Sequence, residues 1–253
     1  MINSSQPLVV IEMSERLKDM CKSLRLAYVA EIFETIPYEE KSQFLKDLFT
    51  KEFELREEAR AERLLKKARF ISNKTLEGYQ WGNNIRFPAH IDKKELTELH
   101  FIKHQENVIL TGAPGTGKSH LAEGLGRRAC ENGYEVRFYR VSDLVDELER
   151  AWRDGKFQQF RNRFRKVDLI ILDEMGYIPF SKGGAELLFQ LITDWYEQKS
   201  LIITSNLEFS QWNRIFTDSR LTAALVDRVI HHAHILSFTG DSYRVTNALS
   251  KLK

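Results

Sequence analysis

Three observations predict an α/β fold in which a parallel sheet flanked by helices carries a phosphate-binding loop, behind an all-helical N-terminal segment. The stretch Gly112, Ala113, Pro114, Gly115, Thr116, Gly117, Lys118, Ser119 matches the P-loop pattern G-x-x-x-x-G-K-[ST]. The apolar run 108–111 precedes it, and Leu121, Ala122, Leu125 and Ala129 follow at helical spacing up to Gly133, giving the strand–turn–helix context the pattern requires. From about residue 93 onward, short apolar runs alternate with longer amphipathic stretches, the signature of βαβ units.

Residues 13–76 read as helical throughout. Leu17, Met20 and Leu24 form one apolar stripe, and Phe44, Leu45, Leu48, Phe49 and Phe53 continue at helical spacing after Pro37. Neither Gly nor Pro occurs between Pro37 and Gly78, so a long helix or a helical pair is expected there. Residues 79–88, with Gly82, two Asn and Pro88, read as a connection. The expected organisation is a helical domain over 1–78, a linker over 79–92 and a nucleotide-binding domain over 93–253. Strands are expected at 108–111, 136–140, 169–172, 201–204 and 234–238, with helices between them such as 185–196 and 218–232.

The bulk composition narrows the setting. With 42% hydrophobic and 29% charged residues, the 253-residue chain has enough apolar mass for one α/β domain plus a smaller one. It contains no apolar run of membrane-spanning length, and residues 7–13 lack the features of a signal peptide. Cys21 and Cys130 have neither disulfide-framework nor metal-ligand spacing, which points to a reducing cytoplasm. A net charge of only +2 says nothing of nucleic acid, so the distribution of charge matters more.

The loop implies bound ATP. Its glycines let backbone N–H groups turn toward phosphate oxygens, and the following helix adds its positive end. Lys118 is expected to reach the β- and γ-phosphates, Ser119 to ligate Mg²⁺, and the contacts to run on to His120. DLIILDE from Asp168 reads as a buried strand ending in two carboxylates. On a strand beside that of the P-loop, Asp173 would serve the Mg²⁺ shell and Glu174 would act as general base on a water; the alternative is an acidic turn. LIITSN from Leu201 ends another strand in small polar residues. There Asn206 suits the γ-phosphate-reading role called sensor 1, or else closes a turn or caps a helix. The expected helix 218–232 offers Arg220 and Arg228 as arginine fingers for a neighbouring subunit, Arg228 being favoured over a simple ion pair with a neighbour. Arg244 is either a further phosphate sensor or a tail residue. The adenine contacts are expected within 87–101.

Two basic stretches are candidates for DNA. Arg56, Arg60, Arg63 and Lys67 share a helical face, reinforced by Lys66, Arg69 and Lys74, so that seven bases meet three acids between Arg56 and Lys74. Such a stripe can track phosphates without reading sequence, or it can be a solvated face with internal Glu–Arg pairs. Before the carboxylate strand, Phe157, Phe160 and Phe164 share an apolar face, whereas Arg161 and Arg165 share another that is open to DNA.

Taken together, these stretches resemble the IstB family, ATP-binding helpers of insertion-sequence transposition related to the DnaC helicase loaders. The carriers are GAPGTGKSHLAEGLG from Gly112, DLIILDEMGYIP from Asp168, GAELLFQLI from Gly184, IITSNLEFSQW from Ile202 and LVDRVIHHAHILSFTGDSYR from Leu225. The resemblance implies an AAA+ ATPase core without a large C-terminal lid, since only about fifteen residues follow Phe238. It implies assembly of a homo-oligomer on double-stranded DNA, ATP at subunit junctions, target remodelling and service to a cognate transposase. By position it gives Gly112, Gly115, Gly117, Lys118 and Ser119 to the nucleotide, Asp173 and Glu174 to metal and water, Asn206 to sensor 1 and Arg228 to action in trans. A helicase loader on single-stranded DNA is the alternative. A small-molecule kinase shares the P-loop but needs neither the carboxylate pair nor the basic helix.

Overall fold

The computed structural model describes residues 15–38, 40–82, 84–176, 179–216, 218–240 and 242–243. The chain divides into two units, Met1–Arg63 and Leu64–Lys253.

The first unit is helical: α1 (Glu15–Ser23), α2 (Val29–Ile32) and most of α3 (Lys41–Ala68). The 28 residues of α3 contain no Gly or Pro and are rich in Lys, Glu, Leu, Arg and Ala, which hold helix well. The small core gathers Cys21, Val29 and Leu48, with Phe33 set edge-on against Phe44 at 5.4 Å. Buried Glu52 ties the unit together, accepting from the Tyr28 backbone N–H at 2.7 Å and from Arg56 Nε at 2.6 Å. The helix ends eight residues before the Leu76 that sequence periodicity suggests, because Arg69 turns to a left-handed φ of +62°.

In the second unit a six-stranded sheet is formed by β1 (Ile85–Arg86), β2 (Asn107–Gly112), β3 (Val136–Arg140), β4 (Leu169–Met175), β5 (Ser200–Ser205) and β6 (Ala233–Phe238). Its order is β1-β6-β2-β5-β4-β3, parallel except for the antiparallel β1–β6 pair. The five long strands lie where their apolar runs predict. The two-residue β1 falls within the expected linker and is too short to leave a periodic signal. One expectation is corrected: the Asp173 strand does not lie beside the P-loop strand, because β5 stands between them.

Helices cover both faces, so the central strands are apolar on both sides. They are α4 (Lys93–Thr97), α5 (His100–Lys103), α6 (Lys118–Glu131), α7 (Val141–Arg153), α8 (Phe157–Asn162), α9 (Lys182–Trp195), α10 (Asn213–Phe216) and α11 (Ser219–Ile230). One face packs Leu144, Leu148, Leu188, Leu191 and Trp195 against β4 and β5. The other packs Leu121, Leu125, Phe101 and the end of α3, Leu64 and Ala68, against β2. Among the described residues three side-chain caps mark helix starts: Asp92 accepts from Glu95 N–H at 2.8 Å, Ser181 Oγ accepts from Gly184 N–H at 2.9 Å, and Asp218 accepts from the N–H groups of Arg220 and Leu221. Among the described residues no helix is long and apolar enough to cross a membrane.

Candidate functional site

The P-loop follows β2 at the carboxyl edge of the sheet, where open α/β sheets bind ligands. Its backbone requires glycine at two positions above all. Gly112 has φ +139°, and a Cβ there would lie 2.2 Å from the Phe238 carbonyl oxygen. Gly117, at φ +99°, is the left-handed residue from which α6 starts. Buried Lys118 donates from Nζ to the carbonyls of Gly112 and Ala113, at 2.7 Å each, so its ammonium sits inside the curl of the loop. Thr116 Oγ1 bonds the Ala113 carbonyl at 2.9 Å and closes the turn, while Ala113 and Pro114 face solvent at its crest.

A cavity of about 600 Å³ opens beside the loop, within the range of cofactor pockets. Its walls include Thr116, Lys118, Ser119 and His120 of the loop and helix start together with Tyr79, Trp81 and Tyr243. The aromatic wall is a packed unit: Tyr79 meets Trp81 edge-on at 4.9 Å and His120 at 5.1 Å, and the ammonium of Lys93 sits 4.6 Å above Trp81. Burial pushes the Tyr79 phenol up to about 12, so it stays neutral as a hydrogen-bonding group. His120 Nε2 lies 2.9 Å from the Thr75 carbonyl, and the Tyr243 N–H donates to the Gly115 carbonyl at 3.0 Å. Residues 78–82, Asn84 and Tyr243 line the cavity, whereas none of 87–101, where the adenine contacts are expected, does so. Residues 78–82 and Asn84 are loop residues, which carry no periodic signal in the sequence.

The carboxylates stand two strands away, and β5 connects them. Thr204 is buried on β5; its hydroxyl donates to Asp173 Oδ1 at 2.6 Å and accepts the Glu174 N–H at 2.9 Å. The β4–β5 register breaks between Leu172 and Met175, and Glu174 takes φ +63°. A bulge of this kind re-aims a side chain. Here it leaves Asp173 buried and Glu174 exposed, with Arg140 Nε 4.0 Å from the Glu174 carboxylate. A left-handed glutamate costs on the order of 1 kcal/mol, so the surroundings must hold it there. Nothing local in the sequence marks Thr204; its role depends on strand order, which no local pattern encodes. Asn206 follows the end of β5 and is exposed.

Arg228 lies near the end of α11, whose chain enters β6 at the opposite, amino edge of the sheet. Its guanidinium donates to the Ala224 carbonyl at 2.8 Å and stacks 5.1 Å from the Phe189 ring. Arg220 is exposed at the start of α11, and Arg244 lies outside the described residues.

The expected DNA contacts separate into several environments. Arg56 is held by Glu52 and by the Arg25 carbonyl, Arg60 lies 3.9 Å from Glu57, and exposed Arg63 bonds the Ala59 carbonyl at 3.2 Å. In the second unit Lys66 is exposed, Lys67 lies 3.9 Å from Glu135, and Arg69 lies 3.9 Å from Glu147. Lys74 is off the helix and lines the cavity. Its segment is pinned to α6 by buried Glu123, which accepts from Ser72 Oγ at 2.7 Å and from Arg127 Nε at 3.3 Å. Arg161 grips Asp194 with two bonds of 2.6 Å, and this bonding raises its guanidinium pKa further. The shared face with Arg165 is corrected: α8 stops at Asn162, so helical spacing does not extend to exposed Arg165. Phe160 and Phe164 are core residues, as their spacing predicts.

The chain is similar to known proteins in sequence and in fold. Residues 17–251 match the family model of the IstB-like ATP binding protein. The chain is 34% identical over 245 residues to a protein of insertion sequence IS5376 from Geobacillus stearothermophilus, named for ATP binding, covering 92% of this chain and 95% of that one. A similarly named protein of insertion sequence IS21 from Pseudomonas aeruginosa is 37% identical over 206 residues, covering 80% and 76%. Among solved structures, the DnaC helicase loader superposes with a TM-score of 0.52 at 24% identity, over 66% of this chain and 97% of that one. AMPPCP-bound DnaA from Aquifex aeolicus gives 0.55 at 21% identity, over 71% and 54%. These two likenesses establish the AAA+ P-loop fold.

Proposed function

Because the chain belongs to the family of IstB-like ATP-binding proteins, we propose that it is an ATPase that assembles on double-stranded DNA, remodels the target and serves a cognate transposase. One observation carries the reading. Phosphate cradle and carboxylates share the carboxyl edge of the sheet, while Arg228 is anchored at the amino edge. A strand of six residues spans roughly 20 Å, so Arg228 is out of reach of its own cavity and suited to that of another copy.

In this mechanism the P-loop N–H groups and Lys118 bind the phosphates, and the aromatic wall of Tyr79 and Trp81 receives the base. Ser119 and Asp173 fit Mg²⁺, since the Thr204 hydroxyl occupies only one oxygen of Asp173 and leaves the other for a hard cation. Bound there, Mg²⁺ supplies charge neutralisation at the β- and γ-phosphates. Glu174 takes a proton from the attacking water, Asn206 orients that water, and a neighbouring Arg228 steadies the charge that develops. Hydrolysis then releases the assembly. Arg60 and Arg63 of the first unit, and Lys66, Lys67, Arg69 and Arg165 of the second, are the proposed phosphate-tracking cations. Arg56 and Arg161 are left out, because each is held by a carboxylate, Glu52 and Asp194, that its displacement would strand.

Turnover measured with duplex and with single-stranded DNA at matched salt tests this reading. Stimulation by duplex is expected. Stimulation by single strands alone would move the protein to the helicase-loader class, and no turnover with either would overturn the ATPase assignment.

A further inference from the structure

The amino edge of the sheet carries a side-chain cluster that ATP chemistry does not use. Glu197, in the turn between α9 and β5, lies with its carboxylate Oε1 3.9 Å from His231 Nδ1 and 3.7 Å from His232 Nε2. Both histidines belong to the turn between α11 and β6, and the three potential ligand atoms all lie within 4.8 Å of one another. We propose that Glu197, His231 and His232 form a binding site for a divalent transition metal of the zinc class.

Four features support it. Two imidazoles and one carboxylate suit Zn²⁺, Co²⁺ or Ni²⁺ and disfavour Mg²⁺ and Ca²⁺, which seek oxygen. Ligands at ordinary zinc distances on a tetrahedron stand about 3.3 Å apart, so small side-chain rotations close the observed gaps. The two turns are already fixed to one another by Asn107. Its side chain donates to the Val229 carbonyl at 2.9 Å and accepts the Leu201 N–H at 3.0 Å, while its backbone N–H donates to the His232 carbonyl at 2.7 Å. Finally, Glu197 has φ +54°, an unfavourable conformation for glutamate, and that backbone belongs to the turn that brings its carboxylate to the histidines.

The Tyr196 hydroxyl lies 2.8 Å from His231 Nδ1, which orients that ring beforehand. On binding, the metal replaces the phenol at this nitrogen, and water completes the tetrahedron. The cations nearby are occupied: Lys199 donates to the Val167 carbonyl at 2.7 Å, and Arg228 bonds the Ala224 carbonyl. Since Arg228 stands three residues before His231, an occupied site would clamp the end of α11, the segment that carries Arg228.

The test uses the full chain freed of metal by a chelator, without nucleotide or Mg²⁺, so that its outcome is independent of the ATPase reading. Co²⁺ is titrated and followed by visible absorption, then displaced by Zn²⁺. One Co²⁺ per chain is expected, displaced by Zn²⁺ and not by Mg²⁺. His231→Ala, His232→Ala and Glu197→Gln should each weaken uptake by tenfold or more, a scale of about 10–100-fold being typical even of outer-shell losses. His90→Ala and His234→Ala, in the separate hydrogen-bonded chain that ends on Glu106, should leave it unchanged. All three ligands are exposed, so the variants should keep the wild-type circular dichroism spectrum. Absence of saturable uptake, or uptake that survives His231→Ala/His232→Ala, would overturn the proposal. So would equal loss in His234→Ala.

Discussion

The two edges of the same sheet are built in opposite ways. At the carboxyl edge the backbone is bent around its chemistry: Gly112 and Gly117 have positive φ, Glu174 is left-handed on a bulge, and buried Lys118, Asp173 and Thr204 have hydrogen-bond partners. At the amino edge the turns carry exposed His231 and His232, and Arg228 rests on its own helix carbonyl and an aromatic ring. The first edge has the preorganisation expected where charge must be stabilised with little rearrangement. The second has exposed imidazoles and a half-buried arginine held, among the described residues, only by neutral partners, a set suited to meeting another molecule. An ATP site divided between copies needs one edge of each kind.

The largest effect should come from removing the cradle's charge. Lys118→Ala is expected to abolish ATP binding and cooperative binding to duplex DNA together, read by nucleotide fluorescence and by gel shift. Retained cooperative DNA binding would separate assembly from the carboxyl edge. Next, Arg228→Ala should lower turnover by about 10³-fold, the lower range for arginine fingers, with ATP affinity little changed. Glu174→Gln should lower turnover by about 10²–10⁴-fold, as loss of a general base does. It should also lengthen the lifetime of DNA complexes in a dissociation assay, and an unchanged lifetime would break the link between hydrolysis and release.

Thr204 gives a smaller and sharper test. Thr204→Val keeps the shape but removes the hydroxyl that orients Asp173 and holds Glu174 N–H. Its Mg²⁺ dependence should shift about tenfold or more toward higher concentration, the scale of outer-shell losses at metal sites, and Thr204→Ser should restore it. A purely structural threonine would lose thermal stability without moving that Mg²⁺ dependence. The smallest effect concerns the cap of α11. The N–H groups of Leu221 and Arg220 hold the Asp218 carboxyl below the usual carboxylate range. The contribution is thus complete above the unfolded-state value and lost as pH falls through the lower folded value. Asp218→Ala should therefore lower Tm slightly near neutral pH and make no difference in strong acid.

What the sequence disclosed and what it hid follow from range. The P-loop and the Asp173–Glu174 pair are contiguous, and the five long strands announce themselves as apolar runs, so both were legible. Thr204 sits among strand residues of the same kind and acquires its meaning only because β5 separates β2 from β4. The aromatic wall formed by Tyr79 and Trp81 comes from a segment that reads as a linker. Arg161 looks like a cation available to DNA until Asp194, distant in sequence, is folded against it. Arg165 loses its expected face because a helix ended early, and helix ends are where periodicity is weakest.

The central claim is that the carboxyl edge of one copy is completed by Arg228 from the amino edge of another, and mixing two inactive variants tests it most directly. Arg228→Ala keeps an intact Glu174, and Glu174→Gln keeps an intact Arg228. In the presence of ATP, Mg²⁺ and duplex DNA, the mixture should hydrolyse ATP well above the sum of the two proteins measured separately. Turnover no greater than that sum at any mixing ratio, or wild-type turnover by Arg228→Ala alone, would contradict it.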